Sequence, residues 1–303
     1  MSKYLVTGGA GLVGSHIVDA LIERGEEVIV YDNLVRGKLE NINPKARFIK
    51  GDIVHLGELT AAMSGVDGVF HQAALCLKDC EEDPYAAVNV NITGTLNVLE
   101  ACKRQGVKKI VGASSSSVYG DGRYLPTDEV HPFDNYLFYG ASKVANEQFY
   151  RAYYKKYGIN YIAFRYLNVY GPRMDTKGAY MMVIMHFLNK LKKNERPVIY
   201  GDGTATLDLV YVKDVAQANI MAMDSAITDE CMNVATGKPT SLKKLLDELQ
   251  EVMGTDLKPI YEKRDDTLVT HRLGCPRKLR RLLNFKCSTK LSKGLKEIYD
   301  QQN

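Results

Sequence analysis

The sequence predicts an α/β fold: a doubly wound parallel sheet followed by a smaller C-terminal α/β substrate domain. Three observations carry this. A glycine-rich turn sits between a short apolar run and a helical stripe near the N-terminus. Strand-like and helix-like segments then alternate through the first half. After Gly171-Pro172 the alternation gives way to helical segments with short strands between them.

The opening stretch is Tyr4-Leu5-Val6-Thr7-Gly8-Gly9-Ala10-Gly11-Leu12-Val13-Gly14. Tyr4 to Val6 reads as a buried strand. Val13, Ile17 and Leu21, with Val18 and Ile22 beside them, repeat at helical spacing. Strand, tight turn and helix is the setting that gives a glycine fingerprint its meaning. Gly8 can take a positive φ without steric cost. The missing Cβ at Gly11 lets a pyrophosphate approach the backbone, and the one at Gly14 lets the helix lie close to the strand. The first helical N–H groups, with Leu12 and Val13 at the start, favour a bound anion. The spacing Gly8-x-x-Gly11-x-x-Gly14 is wider than G-x-G-x-x-G, and ordinary loops also carry glycines at intervals of three. The next strand strengthens the nucleotide reading. Val28-Ile29-Val30-Tyr31 ends in Asp32, within the roughly 20-residue interval expected for a ribose-binding acid. A carboxylate there accepts hydrogen bonds from ribose hydroxyls and repels a 2′-phosphate, which favours NAD over NADP. Arg36 and Lys38 lie just beyond and would weaken that preference. The alternative for Asp32 is a solvated turn residue.

Composition bounds the rest. A chain of 303 residues can build one large or two modest domains, and 45% apolar with 25% charged residues is ordinary for a soluble protein. A formal charge of +4 is too small for a nucleic-acid-binding stripe. Arg277-Lys278 and Arg280-Arg281 read as a solvated helix face. The N-terminus runs straight into a core strand, leaving no room for a signal peptide, and no apolar run approaches the ~20 residues that span a bilayer. A cytoplasmic protein with no membrane partner is expected. The six cysteines show no C-x-x-C pair; free thiols and no metal site are expected.

Along the chain, Gly25 is placed to end the first helix. Phe48-Ile49 leads to Gly51-Asp52-Ile53, which puts Asp52 at a strand's carboxyl end, within reach of an adenine amino group. Val69 to Ala74 is a buried strand whose small Ala73-Ala74 end leaves room for a ligand. Asn89 to Arg104 reads as a helix stopped at Gly106. Lys109 to Ala113 is a strand that empties into Ser114-Ser115-Ser116-Ser117-Val118-Tyr119-Gly120. Tyr139 to Tyr157 is a long helix, and Tyr161 to Arg165 the next strand. Residues 1–168 form the expected NAD-binding domain, to which 207–225 return. Residues 169–303 form the expected smaller, substrate-covering domain, with helices near 179–193, 241–253 and 288–300.

Tyr139-Gly140-Ala141-Ser142-Lys143 puts a phenol and an ammonium four residues apart on one helix face. A free tyrosine, with a pKa of about 10, is a poor base at neutral pH. A nearby lysine and a cationic nicotinamide ring would stabilise the phenolate. The pair then suits a general base for an alcohol or sugar hydroxyl as hydride leaves for NAD. Ser115 is the hydroxyl expected to share a proton with Tyr139. The alternative is a serine run that caps backbone groups.

With these residues in place, the chain resembles the extended short-chain dehydrogenase/reductase family, and within it the NAD-dependent nucleotide-sugar epimerases related to UDP-glucose 4-epimerase. The resemblance spans essentially the whole chain. It rests on Thr7-Gly8-x-x-Gly11-x-x-Gly14, Asp32-Asn33, Gly51-Asp52-Ile53, Asn91-Ile92-Thr93-Gly94-Thr95, Ser114-Ser115, Tyr139-x-x-x-Lys143, Arg165-Tyr166-Leu167-Asn168-Val169-Tyr170-Gly171-Pro172-Arg173 and Gly201-Asp202-Gly203. It implies a Rossmann sheet, tightly bound NAD and a homodimer. It implies Tyr139 as base, Lys143 on the nicotinamide ribose, and Ser115 and Ser116 beside the sugar. It further implies Gly8, Gly11, Leu12, Val13, Asp32, Asn33, Asp52, Ile53, Ala73, Ala74, Asn91 and Tyr166 around NAD, and Asn168 on the substrate pyrophosphate.

Related 4,6-dehydratases carry Asp-Glu just before Val-Tyr-Gly, and UDP-glucuronate decarboxylases carry a Glu there. Ser116-Ser117 supplies no such acid, so C4 epimerisation of a UDP-sugar is expected. The sugar is a hexose, an N-acetylhexosamine or an acidic derivative. The competing readings are another nucleotide-sugar oxidoreductase or reductase, and a non-catalytic NAD-binding regulatory protein. One departure is Leu207-Asp208, where relatives usually have Arg-Asp; Arg173 or Arg264 is the expected substitute cation. By the same likeness, Arg272 falls near a position that limits the sugar substituent. It would pair with a substrate carboxylate, or it is a surface or interdomain residue.

Overall fold

The computed structural model describes residues 1–175, 182–263 and 271–302. The N-terminal part runs β1 (Lys3–Thr7), α1 (Leu12–Glu23), β2 (Glu27–Asp32), β3 (Arg47–Lys50), α2 (Leu56–Ala62) and β4 (Gly68–His71). Then come α3 (Leu77–Glu82), α4 (Pro84–Ala87), α5 (Gly94–Gln105), β5 (Lys109–Ser115), α6 (Phe138–Tyr157), β6 (Asn160–Tyr166) and β7 (Asn168–Tyr170). The remainder holds α7 (Val183–Lys192), β8 (Val198–Tyr200), β9 (Thr206–Leu207), β10 (Leu209–Tyr211), α8 (Val212–Asp224) and β11 (Glu230–Val234). It closes with β12 (Thr240–Ser241), α9 (Leu242–Met253), β13 (Ile260–Glu262), α10 (Arg277–Leu283) and α11 (Leu291–Gln301).

A seven-stranded sheet in the order β11-β6-β5-β4-β1-β2-β3 dominates, and every pairing in it is parallel. Because both faces are covered, its strands are near-continuous apolar runs whose alternate residues enter different cores. Tyr4, Val6, Val28 and Val30 pack on the side of α1, α8 and α10. Leu5, Ile29 and Tyr31 pack on the side of α2, α5 and α6. The strand order reverses between β1 and β4, and the crevice at their carboxyl ends is where a doubly wound sheet binds ligands.

Two departures from the sequence expectation follow from long-range contacts. Helix α8 does lie against α1. However, β11 also joins the large sheet beside β6, although residues 230–234 fall in the range expected for the smaller domain. The helix expected from Asn89 opens instead into one π-helical turn over Val88–Thr93 before α5 begins. Buried Asn91 explains the widening. Its amide turns inward to exchange hydrogen bonds with the Leu75 backbone (2.7 and 3.3 Å) and to donate to Ser142 Oγ (3.2 Å), while Thr95 Oγ1 donates to its carbonyl (2.6 Å).

A third core gathers α7, α9 and α11 around β7 and β10. Leu207 packs against this core. Asp208 is fully buried beside it and accepts from the Thr236, Gly237 and Gly274 amides and from Thr236 Oγ1. All six cysteines are free thiols. Among the described residues, no helix is long and apolar enough to cross a membrane.

Candidate active site

The crevice between β1 and β4 is a cavity lined by the Gly8–Gly11 turn, Asp32, Asn33, Asp52, Ile53 and the 72–75 loop. Its shape depends on two absent side chains. Gly8 has φ +67°, and a Cβ there would stand 2.7 Å from the Ala73 amide nitrogen; a Cβ on Gly14 would overlap the Gly8 carbonyl oxygen. Helix α1 starts at Leu12, and Gly11 before it supplies no side-chain cap. Its first N–H groups, those of Leu12 and Val13 among them, therefore face the turn as an anion site. The turn is held from both sides. Asp32 accepts from the Ala10 amide (3.0 Å) and the Leu34 amide (2.8 Å). Thr7 Oγ1 meets His71 Nδ1 (2.7 Å) and accepts from the Ala73 amide (3.3 Å). His71 is buried and bonded on its other side to Thr95 (3.0 Å). Burial, and secondarily the Lys143 charge, pull its pKa down to about 3, so the link is a neutral imidazole.

The Asp32 carboxylate keeps acceptor capacity for a ribose beyond those two amides. Asp52 accepts from Asn33 Nδ2 (2.8 Å) and the Val54 amide (3.1 Å), which fixes its carboxylate at the rim of the cavity. Arg36 lines this cavity too, but its guanidinium lies 2.9 Å from Asp79 and 3.6 Å from Asp175. These carboxylates offset the cation that the sequence set against NAD. The small cradle, the uncapped helix start and the acid at the end of β2 fit a dinucleotide.

Helix α6 brings Tyr139 and Lys143 to the end of β5. Lys143 is buried, and its Nζ donates to the Ala113 carbonyl (3.1 Å) and lies 5.5 Å from the centre of the Tyr139 ring. Burial lowers its pKa to about 8. Tyr139 is half-buried, and its amide donates to Glu81 Oε1 (3.3 Å). The serines fold into a short helical turn over Ser116–Tyr119. The start of α6 abuts this turn, since a Cβ on Gly140 would sit 2.7 Å from the Ser117 carbonyl oxygen. Ser115 Oγ accepts from the Ser117 amide (3.1 Å). It therefore caps the turn, and its own proton remains available for a second partner.

The model of the NAD dependent epimerase/dehydratase family matches residues 4–235, the span that holds the cradle and the Tyr139–Lys143 pair. The chain belongs to this family. It is 43% identical over 298 residues, 97% of its length and 96% of the relative's, to a Methanocaldococcus jannaschii protein whose provisional name is UDP-glucose 4-epimerase. It is 34% identical, with a TM-score of 0.95, to a Methanobrevibacter ruminantium UDP-N-acetylglucosamine 4-epimerase solved with UDP-N-acetylmuramic acid. The same identity and score relate it to a Thermotoga maritima UDP-glucose 4-epimerase solved with UDP-glucose. Each of these two alignments covers 99% of this chain and 98% of the other.

The remaining expected site residues of this family member scatter more widely. Tyr166 is buried, and its hydroxyl contacts Asn219 Nδ2 (2.9 Å) and Oε1 of Gln72 (3.1 Å), a residue that lines the cavity. Ala73 and Ala74 line the cavity, whereas the amide of Asn91 is engaged behind it. Asn168 Nδ2 points to the Asp208 carbonyl (3.4 Å). Arg173 is paired with Asp19 of α1 (2.7 Å), and its amide donates to Gln301. It thus ties α1 to the C-terminal part, and the substitute-cation role does not account for this pairing. Arg264 lies outside the described residues. Arg272 Nη1 lies 3.5 Å from Ser116 Oγ, in a small recess shared with Tyr119, Gly120 and Leu167.

Sequence reasoning missed the Thr7–His71–Thr95 link, Gln72 with Asn219, and the buried polar groups behind the serine turn. His71 at the end of a buried strand was the one visible signal. Its partners lie 64 and 24 residues away.

Proposed function

We propose that this chain is an NAD-dependent UDP-sugar 4-epimerase, with Tyr139 as the base at the sugar O4. The observation that carries this reading is the joint placement of Tyr139, Lys143 and the Ser115–Ser117 turn beside a dinucleotide cradle. Bound NAD supplies the acceptor and returning donor of the C4 hydride. Gly8, Gly11, Leu12, Val13, Asp32, Asn33, Asp52, Ile53, Ala73 and Ala74 hold it, and Tyr166 borders its nicotinamide end. Lys143 keeps the Tyr139 phenolate accessible by charge. Ser115 steers the O4 proton, and Tyr139 takes it and later returns it. The 4-keto sugar turns over between the two transfers. Ser116 and Ser117 offer no carboxylic acid, which disfavours loss of water or CO₂.

In this reading, residues 1–168 and 207–225, joined by strand β11, form the NAD-binding part, and most of the remainder binds the nucleotide sugar, with Asn168 at its diphosphate. The enzyme is cytoplasmic and works as a homodimer. Arg272, adjoining Ser116, is positioned to read the sugar substituent.

Incubating the protein with UDP-glucose, UDP-GlcNAc and UDP-glucuronate, without added cofactor, tests the proposal. C4 inversion resolved by chromatography supports it. Net accumulation of NADH in solution would point to an oxidoreductase, and failure with all three sugars would remove the epimerase reading.

A further inference from the structure

Behind the serine turn lies a buried ion pair to which the mechanism gives no role. Glu147 of α6 and Arg165 of β6 have side chains only 2% and 5% exposed. They meet through two bonds, Nε to Oε1 (2.9 Å) and Nη2 to Oε2 (2.7 Å). A buried pair of this kind seldom adds net stability over apolar residues of the same size, so its connections are the more informative feature.

Those connections bracket the serine turn. Ser114 Oγ, one residue before Ser115, donates to Glu147 Oε1 (2.6 Å). Arg165 Nη1 donates to Tyr119 Oη (3.0 Å) at the far end of the turn, and the guanidinium stacks near the rings of Tyr119 and Phe133 (5.0 and 5.2 Å to their centres). Tyr119 in turn donates to Asn233 of β11 (2.7 Å). The other face of the arrangement is α6. Gly140 abuts Ser117, Lys143 bonds to Ala113 and Glu147 bonds to Ser114, so successive turns of the helix are pinned to the strand end and turn that carry Ser115. Directed bonds between charged and polar groups add geometric specificity, and a misplacement of about 1 Å costs a reaction ~100-fold.

We propose that Glu147 and Arg165 are positioning residues that set the Tyr139 phenol in register with Ser115. This rests on the epimerase reading above. Glu147→Gln leaves a buried guanidinium without its counter-charge and risks unfolding. The test therefore uses S114A and Y119F, each of which removes one hydrogen bond to the pair and no charge, together with S115A and the S114A/S115A double variant. All are purified as full-length protein with whatever cofactor they retain. kcat and KM are measured with the UDP-sugar that the wild type turns over, alongside the thermal midpoint.

The expected result is a 10- to 100-fold lower kcat for S114A, a smaller loss for Y119F, KM within threefold of wild type, and midpoints close to wild type. The double variant should be no slower than S115A, because Ser114 would act only through the placement of Ser115. Wild-type kcat in both S114A and Y119F would overturn the positioning role while leaving the epimerase reading intact. So would fully additive losses in the double variant. An inactive wild type overturns both.

Discussion

The cradle around Gly8 and the cluster around Tyr139 are built by different means. The cradle is made of backbone. One continuous stretch, Gly8 to Asp32, supplies the turn, the helix start and the acid at the end of β2, and absent Cβ atoms give it shape. The Tyr139 cluster is made of side chains from β5, α6, β6 and β11, held by hydrogen bonds that reach as far as Tyr119 to Asn233. A site of the first kind fails when an atom is added. A site of the second kind fails when a polar atom is taken away, and it can fail without any change in the fold.

The largest break expected from that contrast is Tyr139→Phe. It removes the phenol proposed as the proton-transfer group and nothing from the core, so kcat should fall by about 10²–10⁴-fold, with an unchanged circular dichroism spectrum. Gly14→Ala should do the reverse. Its Cβ overlaps the Gly8 carbonyl, so a loss of about 1–3 kcal/mol is expected from overpacking, read as a lower urea midpoint together with loss of co-purifying NAD.

The third prediction concerns pH. Burial places the Lys143 pKa at about 8. Its ammonium form is complete well below that value and is lost as pH rises through it. The kcat profile should therefore fall on the alkaline side of about pH 8, and a flat profile to pH 10 would contradict that role for Lys143. Arg272→Ala gives the smallest change: within threefold on a neutral UDP-sugar, with a larger loss on an acidic one. Equal effects on both would assign Arg272 to the contact between segments.

How much of this was legible in the sequence follows the same contrast. The sheet, the glycine turn, Asp32 and the Asp52 end of the cradle could be read because each is a local pattern: an apolar run, a turn residue, a strand end. Tyr139 and Lys143 could be read because four residues on a helix is also local. Strand β11 could not, since Glu230–Val234 is short and its place beside β6 is set by pairing across some 68 positions. Nor could the inward turn of Asn91, which widens its helix to satisfy the Leu75 backbone. Arg173 carried a family-like position in the sequence, but its guanidinium meets Asp19, a partner that only folding brings near. No local pattern marks Glu147 and Arg165 as partners; they lie 18 residues apart, and only the fold buries them together behind the serines.

The central claim is that the Tyr139 phenol does proton chemistry at the sugar C4 hydroxyl. It is tested most directly by a crystal structure of the protein with NAD and a UDP-sugar. Tyr139 Oη and Ser115 Oγ should both lie within about 3.2 Å of the sugar O4, with Lys143 still bonded to the Ala113 carbonyl. A phenol turned to solvent, or a sugar seated with C4 away from α6, would contradict it.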